Sequence, residues 1–200
     1  MKIETVKGKG MVVAGNDVDT DRILPARFMK SIVFSGLEEH AFEDERKAFS
    51  RRGDLHPFDD PKNSDAVFLI AESNFGCGSS REHAVQSLAR RGIKAIAAES
   101  FGEIFLGNCR TVGVTAFTMS AADLAEARKL AKAGESFTID LIQSRVSAGS
   151  QTFAMQMDEG VRKQFTTGKW DTLAELLNAK DAAREKGMSL PNFGTEHGLF

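Results

Sequence analysis

Cysteine is scarce in this 200-residue chain, with Cys77 and Cys109 alone. Two thiols without Cys-x-x-Cys spacing cannot build a disulfide framework, so both are expected to be reduced. They are also too few for a self-contained iron–sulfur site, which takes three or four thiolates, or for a structural zinc site without well-spaced histidine partners. Charge of one sign is lacking as well. Twenty-six Lys and Arg against 28 Asp and Glu leave a formal net charge of -2. That balance offers no basic field for nucleic acid or an anionic membrane. No apolar run approaches the roughly 18 residues of a membrane span, and Met1-Lys2-Ile3-Glu4-Thr5 is not a cationic segment followed by an apolar one. The expectation is a soluble, cytoplasmic protein. No internal repeat is visible, and a phosphate loop of the G-x-x-x-x-G-K-[ST] type is absent.

What is present suits one core. With 42% hydrophobic residues, residues 1–200 are expected to form one domain with an insertion or loop region at 29–64 and a tail at 188–200. The chemistry concentrates in Asn74-Phe75-Gly76-Cys77-Gly78-Ser79-Ser80-Arg81-Glu82-His83-Ala84. The apolar run Ala66 to Ala71 before it has the length and content of a buried strand. Glycines then turn the chain, and Ser79-Ser80-Arg81-Glu82 fits the S-x-x-E capping box, with Ser79 as the cap. A strand-loop-helix corner of this kind presents backbone N–H groups at the positive end of a helix dipole, which suits an anion. The same pattern also begins many α/β helices with no function attached.

The chain on either side reads as an α/β frame. A strand is predicted near Met11 to Ala14, followed by Gly15-Asn16-Asp17-Val18-Asp19-Thr20-Asp21-Arg22, whose turn residues suit a loop with capping carboxylates. Its aspartate spacing suggests a calcium loop, but Ile23-Leu24-Pro25 stands where that pattern needs Gly and Glu. From Met29 to Ser64 the pattern loosens into a charged excursion, of the length used for lids and mobile loops. Ala84, Val85, Leu88 and Ala89 share a helical face, Gly92 stops that helix, and Ile93 to Ala98 reads as the next strand. A second corner, Ser100-Phe101-Gly102-Glu103, again fits the capping box. Gly113 to Phe117 is a third strand, and Ser120 caps a helix through Ala133. Two such corners in one sheet belong at one end of it, where open α/β sheets place their sites. Phe137 to Ile142 and Thr152 to Met155, separated by Arg145 to Gly149, read as hairpin or meander strands, followed by a helix from about Thr172 to Ala183.

Several chemistries compete for the corner. Gly76-x-Gly78 begins a dinucleotide fingerprint, with Glu99 near the ribose-binding position, but Arg81 replaces the third glycine. A stand-alone anion- or nucleotide-binding module therefore stays open. Cys77 could be a nucleophile, since a helix N-terminus and a nearby Arg or His lower a thiol pKa, or simply a small packed residue. His83, near the apolar face of its helix, fits a structural histidine better than a base. A serine hydroxyl is too weak an acid to act as a base unless Arg81 and the helix N-terminus stabilise its alkoxide in a closed pocket facing a Lewis acid. This chain has no ligand set for one. The residues alone suggest half an active site.

The eleven-residue run 74–84 resembles the signature of the aconitase C-terminal swivel domain, and specifically of the 3-isopropylmalate dehydratase small subunits. Asp19-Thr20-Asp21-Arg22-Ile23-Leu24-Pro25-Ala26-Arg27-Phe28, His56-Pro57-Phe58, and Ser100-Phe101-Gly102-Glu103-Ile104-Phe105 with Asn108-Cys109 match in the same order. The resemblance implies a swivel-like β/β/α fold with a central, mostly parallel sheet, additional strands and flanking helices. It implies no cofactor in this chain and a large-subunit partner carrying a [4Fe–4S] cluster. The implied reaction isomerises 2-isopropylmalate and 3-isopropylmalate through dehydration and rehydration in leucine biosynthesis. By motif position Ser79 would be the base, Arg81 the group that holds a substrate carboxylate and stabilises the alkoxide, Ser80 a neighbouring donor, and Asp21 a further active-site group. Where these subunits usually carry a basic Lys-Thr-Ile-Lys-Arg-Thr-Gly loop, this chain has Lys30-Ser31-Ile32-Val33-Phe34-Ser35-Gly36. Ile32, Val33 and Phe34 are therefore expected to line a pocket for an apolar substituent on a small dicarboxylate. The hydratases of citraconate, dimethylmalate or homoaconitate are the alternative within the class.

Overall fold

In the computed structural model, which describes residues 1–30, 33–79 and 81–188, the chain runs β1 (Thr5–Val12), α1 (Thr20–Ile23), α2 (Glu43–Arg51), β2 (Ala66–Ile70), α3 (Glu82–Arg90), β3 (Ala95–Ala98), α4 (Glu103–Val112), β4 (Thr115–Thr118), α5 (Ala121–Lys132), β5 (Ser136–Asp140), β6 (Arg145–Ala148), β7 (Gln151–Ala154), α6 (Glu159–Thr167), α7 (Thr172–Asn178) and α8 (Lys180–Met188). One seven-stranded sheet has the order β4-β3-β2-β1-β5-β6-β7. Strands β1 to β4 are mutually parallel, and β5, β6 and β7 continue the sheet antiparallel.

The apolar runs of β2 and β3 follow from burial on both faces, as a parallel layer between helices requires. Leu69 and Ile96 point into one core cluster with Val85 and Leu88 of α3 and Phe105 of α4. Phe68, Ile70, Ala95 and Ala97 point into the other, with Phe137, Ile139, and Leu124 and Ala127 of α5. Helices α3 and α4 thus cover one face and α5 the other. The excursion after β1 is a packed part of the first cluster, because Leu37, Ala41, Phe42 and Phe58 are buried there. His56, 1% exposed, is buried with them among the rings of Phe42, Phe49 and Phe58.

Several local expectations change. Arg145–Ala148, expected as a connection, is a strand, because its Val146 and Ala148 bury their side chains while the segment pairs on both sides with β5 and β7. The helix expected from Thr172 to Ala183 is two helices with Ala179 between them. Ser120 does cap α5, accepting the Asp123 N–H at 3.1 Å. Among the described residues no helix is long and apolar enough to cross a membrane. The tail from 189 to 200 lies outside the described residues.

Candidate active site

Beyond β1 and β2 the two chain segments stay side by side, and this lateral lacing builds the site. Val13 N–H reaches Ile70 O at 3.0 Å, Asp17 N–H reaches Ser73 O at 3.0 Å, Gly76 N–H reaches Val18 O at 2.7 Å, and Thr20 N–H reaches Cys77 O at 2.9 Å. The aspartate-rich string is the expected loop, with Gly15 and Asp17 at positive φ, laced along the chain that follows β2. On the other flank Phe75 N–H bonds to Ser100 O and Gly102 N–H to Phe75 O, each at 3.0 Å. Both serine corners lie at the same end of the sheet, as their positions after parallel strands demand.

Neither serine caps its helix. The N-cap of α3 is Arg81 and that of α4 is Gly102, and neither makes a side-chain capping bond. Ser100 Oγ instead accepts the Asn74 N–H at 2.8 Å. Ser79 Oγ accepts a hydrogen bond from Arg81 Nε at 2.5 Å. At Ser79 the charged partner forms a stronger hydrogen bond than a neutral capping amide would; at Ser100 the hydroxyl is taken by the lateral Asn74 N–H.

Three of the expected site residues meet at this corner. Arg81 donates Nη1 to Asp21 Oδ1 at 2.6 Å, across 60 residues of sequence, while its Nε holds Ser79. Its side chain is 20% exposed and that of Asp21 54%, so the pair faces outward from a built wall. Val33 is exposed, and Phe34 packs on the core and sets its ring edge-on to His83, the centroids 5.1 Å apart. This contact places Phe34 beside the first turn of α3 and gives His83 a packing role. Ser80 and Ile32 lie outside the described residues.

Sequence reasoning overlooked Thr20. It is 2% exposed and donates its hydroxyl to Ser79 O at 2.9 Å, fixing the backbone that carries the serine. No periodicity marks it, because the partner lies 59 residues away.

Cys77 is no activated nucleophile. Burial, then the nearby Asp19 and Asp17 carboxylates, push its thiol above the ordinary value, whereas a reactive thiol needs a positive surrounding. Burial likewise pushes the enclosed Cys109 thiol up. Among the described residues no three His, Cys, Asp or Glu side chains converge as metal ligands. With one thiol sealed in the core and the other beside carboxylates, this donor set does not fit an iron–sulfur cluster. A cavity of about 690 Å³ lies elsewhere, between α4, β4 and the start of α6, lined by Leu106, Phe117, Met155 and Met157 among others. It includes none of Ser79, Arg81 and Asp21, so the chemistry points to the corner.

Residues 1–122 match the family described as the aconitase C-terminal domain. The chain is 38% identical over 192 residues to the 3-isopropylmalate dehydratase small subunit of Synechocystis sp., covering 95% of this chain and 94% of the relative. It is 40% identical over 194 residues to the protein of that name from Thermus thermophilus, covering 95% and 96%. A crystal structure of 3-isopropylmalate dehydratase from Methanocaldococcus jannaschii superposes with a TM-score of 0.69 at 25% identity, covering 92% of this chain and 99% of that one.

Proposed function

The chain belongs to the aconitase C-terminal domain family, among the 3-isopropylmalate dehydratase small subunits, and on that premise we propose that it is the small subunit of a two-chain hydro-lyase of leucine biosynthesis. The complex interconverts 2-isopropylmalate and 3-isopropylmalate by removing and re-adding water. One observation carries the assignment of roles: a guanidinium that grips the hydroxyl of Ser79 with one nitrogen and the carboxylate of Asp21 with another, at an outward-facing corner.

Ser79 is the base in this reading. It acts in its alkoxide form, whose negative charge Arg81 Nε meets; its Oγ takes the proton from the substrate carbon, becoming the neutral hydroxyl, and returns a proton when water is re-added. Asp21 fixes the plane of that guanidinium. The remaining N–H groups of Arg81 suit a substrate carboxylate, since a planar fork binds two oxygens at once. Thr20 holds the Ser79 backbone while the proton moves. Val33 and Phe34, with Ile32, receive the isopropyl substituent, and Ser80 adds a donor.

The partner is a large subunit, which would hold a [4Fe–4S] cluster on its own residues. That cluster would supply the Lewis acid for the substrate hydroxyl, while Ser79, Arg81 and Asp21 of this chain handle the proton and a carboxylate. Closure of the two chains excludes water, and a drier site strengthens the Ser79–Arg81 interaction.

The test is Ser79→Ala in the complex with a cluster-bearing large subunit. Turnover of 3-isopropylmalate should fall by about 10²–10⁴-fold, the usual worth of a positioned base. Assembly should survive, and stability should change by less than about 0.5 kcal/mol, because Ser79 caps no helix. Near-normal turnover would rule out Ser79 as the base. Diacid turnover by the isolated chain would rule out the two-chain reading.

A further inference from the structure

Asp21 sits on α1, a four-residue turn too short to keep its own orientation. The turn is held from two sides. Thr20 ties it to Cys77 O and Ser79 O on one flank. On the other, Arg22 sends Nε and Nη2 to the two carboxylate oxygens of Glu45, each at 2.7 Å, and Nη2 also to Ala14 O at 3.1 Å. Glu45 comes from α2 in the excursion, and its side chain is 16% exposed. Buried His56 stands behind it, Nε2 lying 3.9 Å from Oε2.

A two-pronged pairing of this kind fixes the direction of the guanidinium as well as its distance. Neighbouring side chains on a helical turn diverge by about 100°, as 3.6 residues per turn dictates. Rolling the turn to release Arg22 would therefore swing Asp21 away from Arg81. Holding Arg22 holds Asp21.

We propose that Glu45 is a positioning residue of the reaction: by clamping Arg22 it sets the roll of the turn that presents Asp21 to Arg81, so the excursion between β1 and β2 governs the geometry of the guanidinium. The proposal rests on the reading of Ser79 and Arg81 as active-site groups given above. Glu45 acts through Arg22 and α1.

The test uses the full chain assembled with its large subunit, as wild type, Glu45→Gln, Glu45→Ala, Arg22→Ala and the double alanine variant. Steady-state kinetics with 3-isopropylmalate are read beside amide hydrogen exchange. Glu45→Ala should raise KM about tenfold while kcat falls less than about threefold, because a mis-aimed Arg81 loses part of its carboxylate contact yet keeps Nε on Ser79. Glu45→Gln retains one acceptor oxygen and should fall between wild type and Glu45→Ala. The double variant should be no worse than the worse single variant, the signature of two residues acting as one unit. Exchange should quicken at the amides of Thr20 to Leu24 and stay unchanged in β2 and β3. Unchanged KM and exchange in Glu45→Ala beside an active wild type overturn the proposal alone. Additive single effects, or faster exchange across the whole sheet, also overturn it. A wild-type complex without turnover overturns the functional reading and this proposal together.

Discussion

Replacing Gly76 by alanine perturbs the corner through a single methyl group. Gly76 has φ +75°, and a Cβ built on it would lie 2.2 Å from Phe105 Cγ and 2.6 Å from both Cδ atoms. Phe105 is 2% exposed and meets Phe75 edge-on at 5.4 Å and Phe101 in a stack at 6.5 Å. In an interior packed to crystal density the ring cannot move an ångström without displacing those neighbours. Left-handed backbone costs an L-residue about 1–2 kcal/mol, and overpacking adds about 1–3 kcal/mol. The expected loss is therefore about 2–5 kcal/mol out of a total stability on the order of 5–15 kcal/mol. Equilibrium urea unfolding should show a lower midpoint at unchanged slope. Gly134→Ala is the matched control, since Gly134 has φ +85° but nothing within 4 Å of its added Cβ. It should lose only the backbone contribution, about 1–2 kcal/mol. Equal losses at the two positions would refute the claim that Phe105, beyond backbone handedness, demands glycine at 76.

Two further substitutions separate binding, chemistry and stability. Arg81→Lys leaves one nitrogen where Nε and Nη1 now serve Ser79 and Asp21 separately, so KM for 3-isopropylmalate should rise at least about tenfold and kcat should fall as well. An unchanged KM would mean that Arg81 only braces the corner. His56 gives a pH dependence. Burial, partly offset by the Glu45 and Asp59 carboxylates, holds its pKa below the ordinary 6.5. The folded state therefore keeps His56 neutral while the unfolded chain takes up a proton below 6.5. The stability it contributes is complete above pH 6.5 and is lost as pH falls from there through the folded value. Urea midpoints at pH 7.5, 6.5 and 5.5 should fall more steeply for wild type than for His56→Asn, and equal slopes would show that His56 does not titrate differently on folding.

Several local patterns in the sequence hold where their meaning depends on neighbours a few residues away. The apolar runs of β2 and β3, the helical face of Ala84, Val85 and Leu88, and the Ser120 cap are of this kind. The run 74–84 was specific enough to carry the family resemblance, which the matched relatives bear out. The same local grammar failed at Ser79 and Ser100, where a capping box was legible but the hydroxyl took another partner, the Arg81 guanidinium at Ser79 and the Asn74 backbone N–H at Ser100. It failed again at Arg145–Ala148, where a short segment with turn-forming neighbours pairs with a strand on each side.

Within the site, Ser79 and Arg81 stand two residues apart, so their partnership could be suspected from spacing and chemical type. Asp21, Thr20 and the Arg22–Glu45 clamp could not be placed that way. Their contacts span 60, 59 and 23 residues: the first two exist because β1 and β2 run parallel and the chain stays laced past the strand ends, the third because the excursion carrying α2 packs back on that loop. Periodicity records which face of an element is apolar. Which polar groups meet across two parallel segments depends on their register, and that is settled only when the sheet closes and both cores pack.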